Sequence, residues 1–384
     1  MIRLRRGLAI GMALTASLSA AACSASSGSD DKSLTIGVLV SQTGSASQLG
    51  VGELRGAQLA AESINAAGGI NGKKIVIKAA DDQSKPDQAV EQARNLLKEK
   101  VAAIIGPSVV GSCKAVMPLV KSRGPVHYCL SPGIEPADYT WSASVDTADL
   151  AQAGLSYWKS KGITKIGLLS TTDGSGTNGA AAVNSAASKL GAQVVSRATY
   201  DPTAVSITSQ LQQVTAGHPQ AIVVWATGTP VGVALKAIQQ AGLNLPVMTT
   251  NGNLANAFLK RIADYTPKTL LIPATRDFWW QTLPASDPSV KLEKDYHDRY
   301  QAKYNESPDF GPGVGYDAIL NIAAALRKSG SADAKKLRTA LEQLAGAQGV
   351  VGPYTMGADN HRGLSLQDVA IVQAQNGRFT YVGK

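Results

Sequence analysis

"LLSTTDGSGTNGAAAV", residues 168–183, is an apolar run followed by GxGxxG at Gly174, Gly176 and Gly179 and then by an alanine-rich stretch of helical character. Strand, glycine loop and helix in that order are the signature of a dinucleotide-binding turn, so its reading decides what kind of α/β protein this is. In such a turn the first glycine bends the chain directly off the strand, and the pyrophosphate meets the helix N-terminus. Here Ser170, Thr171, Thr172 and Asp173 intervene, which moves the glycines out into a longer loop. Asp201 stands at a tolerable distance for a ribose contact, but in TYDPTAV, beyond the strand that would have to end on it. The spacing argues against a nucleotide and leaves the glycines in need of another use.

Outward from this stretch, strand-length apolar runs alternate with helical segments. LTIGVLV (34–40), KIVIKAA (74–80), VAAIIG (101–106) and GPVHYCL (124–130) precede Trp141, and Ala57, Ala60, Ala61 and Ile64 form one helical stripe between them. After Trp141 the rhythm restarts with KIGLLS (165–170), AQVVSRAT (192–199), QAIVVWA (220–226) and LPVMTT (245–250), with helices expected near 150–161 and 206–215. Short apolar strands joined by helices imply parallel sheets covered on both faces. Two α/β lobes are expected. Later, 287–304 reads as a charged amphipathic helix and Tyr316–Lys328 as a buried one. VVGPYTM (350–356) has strand potential, and 365–384 has the pattern of a hairpin turning at Asn376-Gly377.

The chain has 384 residues, 44% apolar and 17% charged, enough for two buried cores. MIRLRRGLAIGMALTASLSAAAC places Arg3, Arg5 and Arg6 before an apolar run too short to span a membrane, and reads as an export signal over 1–22. Ala20, Ala21 and Ala22 before Cys23 resemble a lipoprotein cleavage box, with SASSGSDDKS as a flexible tether, so 23–33 is expected to anchor a soluble protein through acylated Cys23. Plain secretion is the alternative. Without the three signal arginines the formal charge falls from +9 to +6, and the remaining cations are scattered, which gives no track for nucleic acid. Cys113 and Cys129, in an oxidising compartment, are either a disulfide or two buried thiols.

Catalysis finds no framework. His127, His218, His297 and His361 lack metal-ligand spacing, and no GxSxG elbow surrounds a serine. No cofactor and no metal are expected. Small polar residues instead crowd the ends of strands: SQTGSASQLG (41–50), GPSVVGS (106–112), SPGIE (131–135), TTDGSG (171–176), ATGT (226–229) and TTNGN (249–253). The crevice outside the carboxyl ends of such strands is where small ligands bind. Backbone N–H groups at Gly111 and Ser112, opening a helix that runs to Lys121, suit a carboxylate, and Ser108, Ser112 and Ser131 offer hydroxyls. Each serine alone is equally a helix cap.

SQTGSASQLG, INAAGGINGKKIVIKAADDQSKPDQAVEQARNLL (64–97), IIGP (104–107), SP (131–132), GYDAIL (315–320) and GVVGPYTMGADNHRG (349–363) resemble the periplasmic solute-binding proteins of branched-chain-amino-acid-type ABC importers. The resemblance implies a type I periplasmic-binding-protein fold, two doubly wound parallel-sheet lobes joined by a three-crossing hinge. The crossings are placed near Thr147, Ala274 and Val351, giving lobe 1 as 34–147 plus 276–351 and lobe 2 as 148–275 plus 352–384. It also implies a monomeric, non-catalytic protein that closes on a small ligand and delivers it to permease subunits. Ligand contacts carry over to Leu49, Val110, Gly111, Ser112, Ser131, Gly133, Glu135, Ser175, Trp225, Thr227 and Asn251. Several depart from the amino-acid-binding pattern. Leu49 replaces an aromatic residue, Val109 and Val110 a hydroxyl pair, Ser175 a tyrosine, and Asn251 the acid that grips an α-amino group. An ammonium without that acid is strongly disfavoured in a dry cleft, so a carboxylate or aromatic compound is expected, with Glu135 as the one substitute acid. Trp225 offers a face to the ligand or is a core indole. A ligand-sensing module of the same fold and a secreted Rossmann-like enzyme are the rival readings.

Overall fold

The computed structural model describes residues 33–384. The export signal at 1–22, Cys23 and the tether up to residue 32 lie outside the described residues.

The first half of the chain runs Ser33–Val40 (β1), Ser47–Ala66 (α1), Lys74–Asp81 (β2), Pro86–Lys98 (α2), Ala103–Ile105 (β3), Val110–Val120 (α3), Val126–Cys129 (β4) and Thr140–Ser142 (β5). All five strands pair in parallel in the order β2-β1-β3-β4-β5. Ile36, Val38, Leu39 and Val40 are fully buried in succession, as expected of a strand with helices on both faces.

The chain then enters a second sheet. Its elements are Thr147–Ser160 (α4), Lys165–Thr171 (β6), Gly174–Leu190 (α5), Gln193–Tyr200 (β7), Thr208–Thr215 (α6), Ala221–Trp225 (β8), Thr229–Gln240 (α7), Val247–Thr249 (β9), Asn256–Ile262 (α8) and Leu270–Ala274 (β10). It returns to the first half through Pro288–Tyr304 (α9), Phe310–Ser329 (α10), Ala334–Glu342 (α11) and the two-residue strands Ala347–Gln348 (β11) and Pro353–Tyr354 (β12). Finally Ala370–Gln375 (β13) and Arg378–Gly383 (β14) complete the second sheet, ordered β14-β13-β10-β9-β8-β6-β7. That hairpin is antiparallel and turns where Asn376 and Gly377 both adopt positive φ.

The chain therefore passes between the sheets three times: after Ser142, after Ala274, and between Tyr354 and Ala370. Arg362, on the third passage, is buried and stitches it to the first. Its guanidinium donates to Ser142 Oγ (2.9 Å), to the carbonyls of Ser144 and Ile134 (both 2.7 Å), and pairs with Asp146 at 3.0 Å.

Three local expectations change. Gly174, Gly176 and Gly179 belong to α5 itself rather than to a loop. A Cβ on Gly176 would lie 1.9 Å from the Thr171 carbonyl, and one on Gly179 would lie 2.0 Å from the Trp225 indole, so these glycines let the helix press onto its sheet. VVGPYTM contributes only β12, because the Val350 and Val351 N–H groups are taken by the Asp317 carboxylate, each at 2.8 Å. The buried helix expected at Tyr316–Lys328 starts at Phe310, with Pro312 in its first turn, where a missing N–H is tolerated. Cys113 and Cys129 are joined in a disulfide with their Cα atoms 6.0 Å apart, tying α3 to the end of β4.

Candidate functional site

The carboxyl ends of β1, β3 and β4 face those of β6, β8 and β9, and between them lies a cavity of about 330 Å³. Lobe 1 supplies Leu49 from α1, Ser108 and Val109 from the β3–α3 turn, Val110 and Gly111 from the start of α3, and Ser131 after β4. Lobe 2 supplies Ser175 and Asn178 from α5, Trp225 at the end of β8, Thr227 after it, and Asn251 after β9. Thus nine of the residues expected from sequence come together: Leu49, Ser108, Val110, Gly111, Ser131, Ser175, Trp225, Thr227 and Asn251.

Ser112, Gly133 and Glu135 stand apart from the lining. Ser112 is fully buried beside Asp82. Gly133 backs onto Asn178, whose Oδ1 would sit 2.7 Å from an added Cβ. Glu135 is exposed, in the field of the Arg362 guanidinium. Thr147, Asn178, Thr250 and Phe310 line the cavity without having been expected. A usable signal existed for Asn178, which lies three residues beyond Ser175 and so shares its helix face.

The walls touch at their rims. A Cβ on Gly174 would fall 3.3 Å from the Gly111 nitrogen, and one on Gly228 would fall 2.6 Å from the Ser45 carbonyl. Arg261 reaches from α8 to donate to Gln48 Oε1 of α1 at 2.9 Å.

The lining is apolar with neutral hydrogen-bonding groups. On α3 the N-cap is Val109, which has no side-chain oxygen to give its helix, so the first turn, whose Val110 and Gly111 line the cavity, has no side-chain cap. In lobe 2 the Ser175 and Thr227 hydroxyls lie 3.2 Å apart, and Asn251 Oδ1 accepts from Thr250 Oγ1 at 3.0 Å. Asn251 Nδ2 and Asn178 Oδ1 are buried atoms without a hydrogen-bond partner among the described residues, one a donor and one an acceptor. Asn253 fixes the loop behind them, donating to the Ala226 carbonyl (2.8 Å) and accepting from the Gly228 N–H (3.0 Å).

Among the described residues one carboxylate borders the cavity, that of Asp173. It is engaged with its own helix, accepting from the Gly176 N–H at 2.9 Å and from the Thr171 hydroxyl at 2.8 Å. Two further acids are buried behind the lobe 1 wall. Glu53, with no exposed surface, is pushed up to about 8 by burial, against the lowering effect of its Ser108 hydrogen bond and with the Asp82 charge adding to the rise. Asp82 is raised by burial as well, although Ser41 Oγ and the Ser84 N–H donate to it at 2.7 and 2.9 Å.

Residues 33–378 match the periplasmic binding protein family. A curated relative described as a Leu/Ile/Val-binding protein homolog, from Brucella melitensis, is 35% identical over 91 residues, 24% of this chain and 25% of the relative. The chain thus matches about a quarter of that relative's length. Among solved structures, a type 1 periplasmic binding protein from Bordetella pertussis is 25% identical, covering 92% of this chain and 100% of its own, with a TM-score of 0.82. An ABC-transporter solute-binding protein from R. palustris, solved in complex with benzoate, is 19% identical with a TM-score of 0.78, covering 91% of this chain and 96% of its own.

Proposed function

We propose that this chain, which belongs to the periplasmic binding protein family, is the substrate-binding subunit of an ABC importer. It captures a small organic carboxylate or aromatic compound between its lobes by hinge closure. In this reading it is an exported, non-catalytic monomer, held at the membrane through acylated Cys23 and presented to permease subunits. The sites proposed for the ligand are Leu49, Ser108, Val110, Gly111, Ser131, Ser175, Trp225, Thr227 and Asn251, with Asn178 added.

The observation that carries the reading is the absence, among the cavity's lining residues, of a carboxylate free to receive an ammonium. Asn251 is neutral, Glu135 is outside the lining and Asp173 caps α5. A buried ammonium without a counter-charge is strongly disfavoured. A carboxylate, by contrast, meets the unused N–H groups of α3 and the positive end of its dipole. The apolar faces of Leu49, Val110, Trp225 and Phe310 suit a hydrocarbon or ring behind that carboxylate. The benzoate-bound neighbour supports this class of ligand.

Thermal-shift and calorimetric titration with benzoate, benzamide, succinate and leucine test it. Benzoate is expected to raise the melting temperature and leucine to leave it unmoved, since a ligand that binds only the folded form must stabilise it. Tight leucine binding with no response to benzoate would overturn the ligand class.

A further inference from the structure

Ser108 sits at the boundary between the cavity and the buried acids, and the directions around its oxygen are accounted for. The Ser41 N–H donates to Ser108 Oγ at 2.9 Å, Glu53 Oε2 lies within hydrogen-bond reach of the same oxygen, and the remaining direction is the cleft, which Ser108 lines. A hydroxyl has one hydrogen and two lone pairs. Ser41 takes one lone pair. If Glu53 were ionised, the single hydrogen would have to turn back to its carboxylate, and Ser108 would show the cleft a lone pair. If Glu53 holds a proton, its own hydrogen fills the second lone pair, and the serine hydrogen is free to face the ligand.

The surroundings of Glu53 decide between these states. Its side chain has no exposed surface. It is enclosed by α1 and α10, where Gly315 packs so closely that an added Cβ would lie 2.1 Å from the Glu53 carbonyl. The charged group facing it across the β2–α2 turn is Asp82, a second acid, and Asp309 at the start of α10 stands against the neighbouring Gly52. Ser108, from the β3–α3 turn, is neutral. Glu53 Oε1 has no hydrogen-bond partner among the described residues. An ionised carboxylate in such a place is costly, and like charge nearby adds to the cost.

Resting on the reading of the cleft as the solute site, we propose that Glu53 is a protonated positioning residue that donates to Ser108 Oγ. The Ser108 hydroxyl hydrogen then joins the α3 N–H groups as a donor to the ligand's anionic or acceptor oxygen. Glu53 touches no ligand; it sets which end of the serine the ligand meets. The elevated position of its titration, about 8, agrees with this. Affinity for an anion must then fall as the pH rises and Glu53 ionises, because Ser108 reverses and a negative charge appears behind it.

Two measurements test this. Infrared spectra of the ligand-free protein with ¹³C-labelled glutamate carboxyls, recorded from about pH 6 to about pH 10, should show a protonated-carboxyl band that disappears as the pH rises and shifts in S108A. A band from Glu293 on α9, the other glutamate that burial raises, would not respond to that substitution. No S108A-sensitive band at neutral pH would overturn the proposal. Calorimetry with benzoate should give an affinity that falls about tenfold from pH 7 to pH 9.5 in the wild type, the scale of one charge-assisted hydrogen bond. The profile should be flat in E53Q, whose amide still donates to Ser108, and weaker with a shallower fall in S108A, where only the charge of ionised Glu53 remains. A flat wild-type profile would overturn the proposal, and S108A keeps the comparison available should E53Q not fold. Failure of benzoate to bind at any pH would instead strike at the carboxylate reading of the cleft, leaving the infrared result to judge the proton.

Discussion

Two strand–turn–helix units meet across the cleft, β3 to α3 in lobe 1 and β6 to α5 in lobe 2, and they differ in what stands at the helix N-cap. On α5 it is Asp173, whose carboxylate takes the Gly176 N–H. On α3 it is Val109, which offers nothing. The same N–H groups can either satisfy the helix or be kept for a guest, and one side chain decides which. In the proposed function lobe 1 is thus the donor wall, backed by buried acids, whereas lobe 2 is self-satisfied at its helix and presents paired hydroxyls, an indole and two half-used amides.

The largest effect expected from this asymmetry is on stability with pH. Glu53 holds its proton in the folded chain up to about 8 but gives it up near the ordinary 4.5 when unfolded. The folded form therefore binds more protons throughout that window, and stability is greatest below it and declines as the pH rises through it, by up to about 1.4 kcal/mol per pH unit. Asp309 and Asp317, both raised to about 7 by burial, act in the same direction. Denaturant melts should show the wild type weakening from pH 5 to pH 8, with E53Q weakening less. An E53Q slope equal to wild type would remove Glu53 from the account.

Next comes V109D, which gives α3 the cap that α5 already has and places a negative charge in the donor wall. Benzoate affinity should drop about 100-fold, while the melting temperature holds or rises, because the helix gains a cap worth about 1 kcal/mol. Loss of affinity accompanied by a large loss of stability would mean that the wall had collapsed. N251D sharpens the other side by supplying the charge that lobe 2 lacks. Leucine should bind at least about tenfold better in this variant and benzoate worse, both read by calorimetry. The smallest change is D173A, which should lower stability by about 1 kcal/mol, with D173N largely restoring it, as a cap oxygen predicts.

Much of this was legible in the sequence. KIVIKAA, KIGLLS and AQVVSRAT are strands within a residue of where they were read, β6 because its consecutive buried positions demand an apolar run, and the edge strands β2 and β7 because their Ile and Val residues favour extended backbone. Thr140–Ser142 and Leu270–Ala274 were not read as strands. The first is three residues of mixed polarity, and the second carries Pro273, so neither shows a period that a local reading can find. In the site, Ser108 and Asn251 were reachable because they follow strand ends, and Gly111 because it opens the helix after one. The glycines of α5 were misplaced into a loop since their reason, contact with Thr171 and Trp225, is tertiary. Glu53 was invisible: one acid in an amphipathic helix looks solvated until α10 is laid over it.

The bridge from Cys113 to Cys129 fastens the first turn of α3 to a strand whose next residues, Leu130 and Ser131, floor the same cavity. Material produced in a reducing cytosol would share sequence, mass and charge with native protein, to within two hydrogens, and yet offer a slacker donor face. Its shortfall would be mistaken for an intrinsically poor fit, so a free-thiol count belongs beside every titration curve.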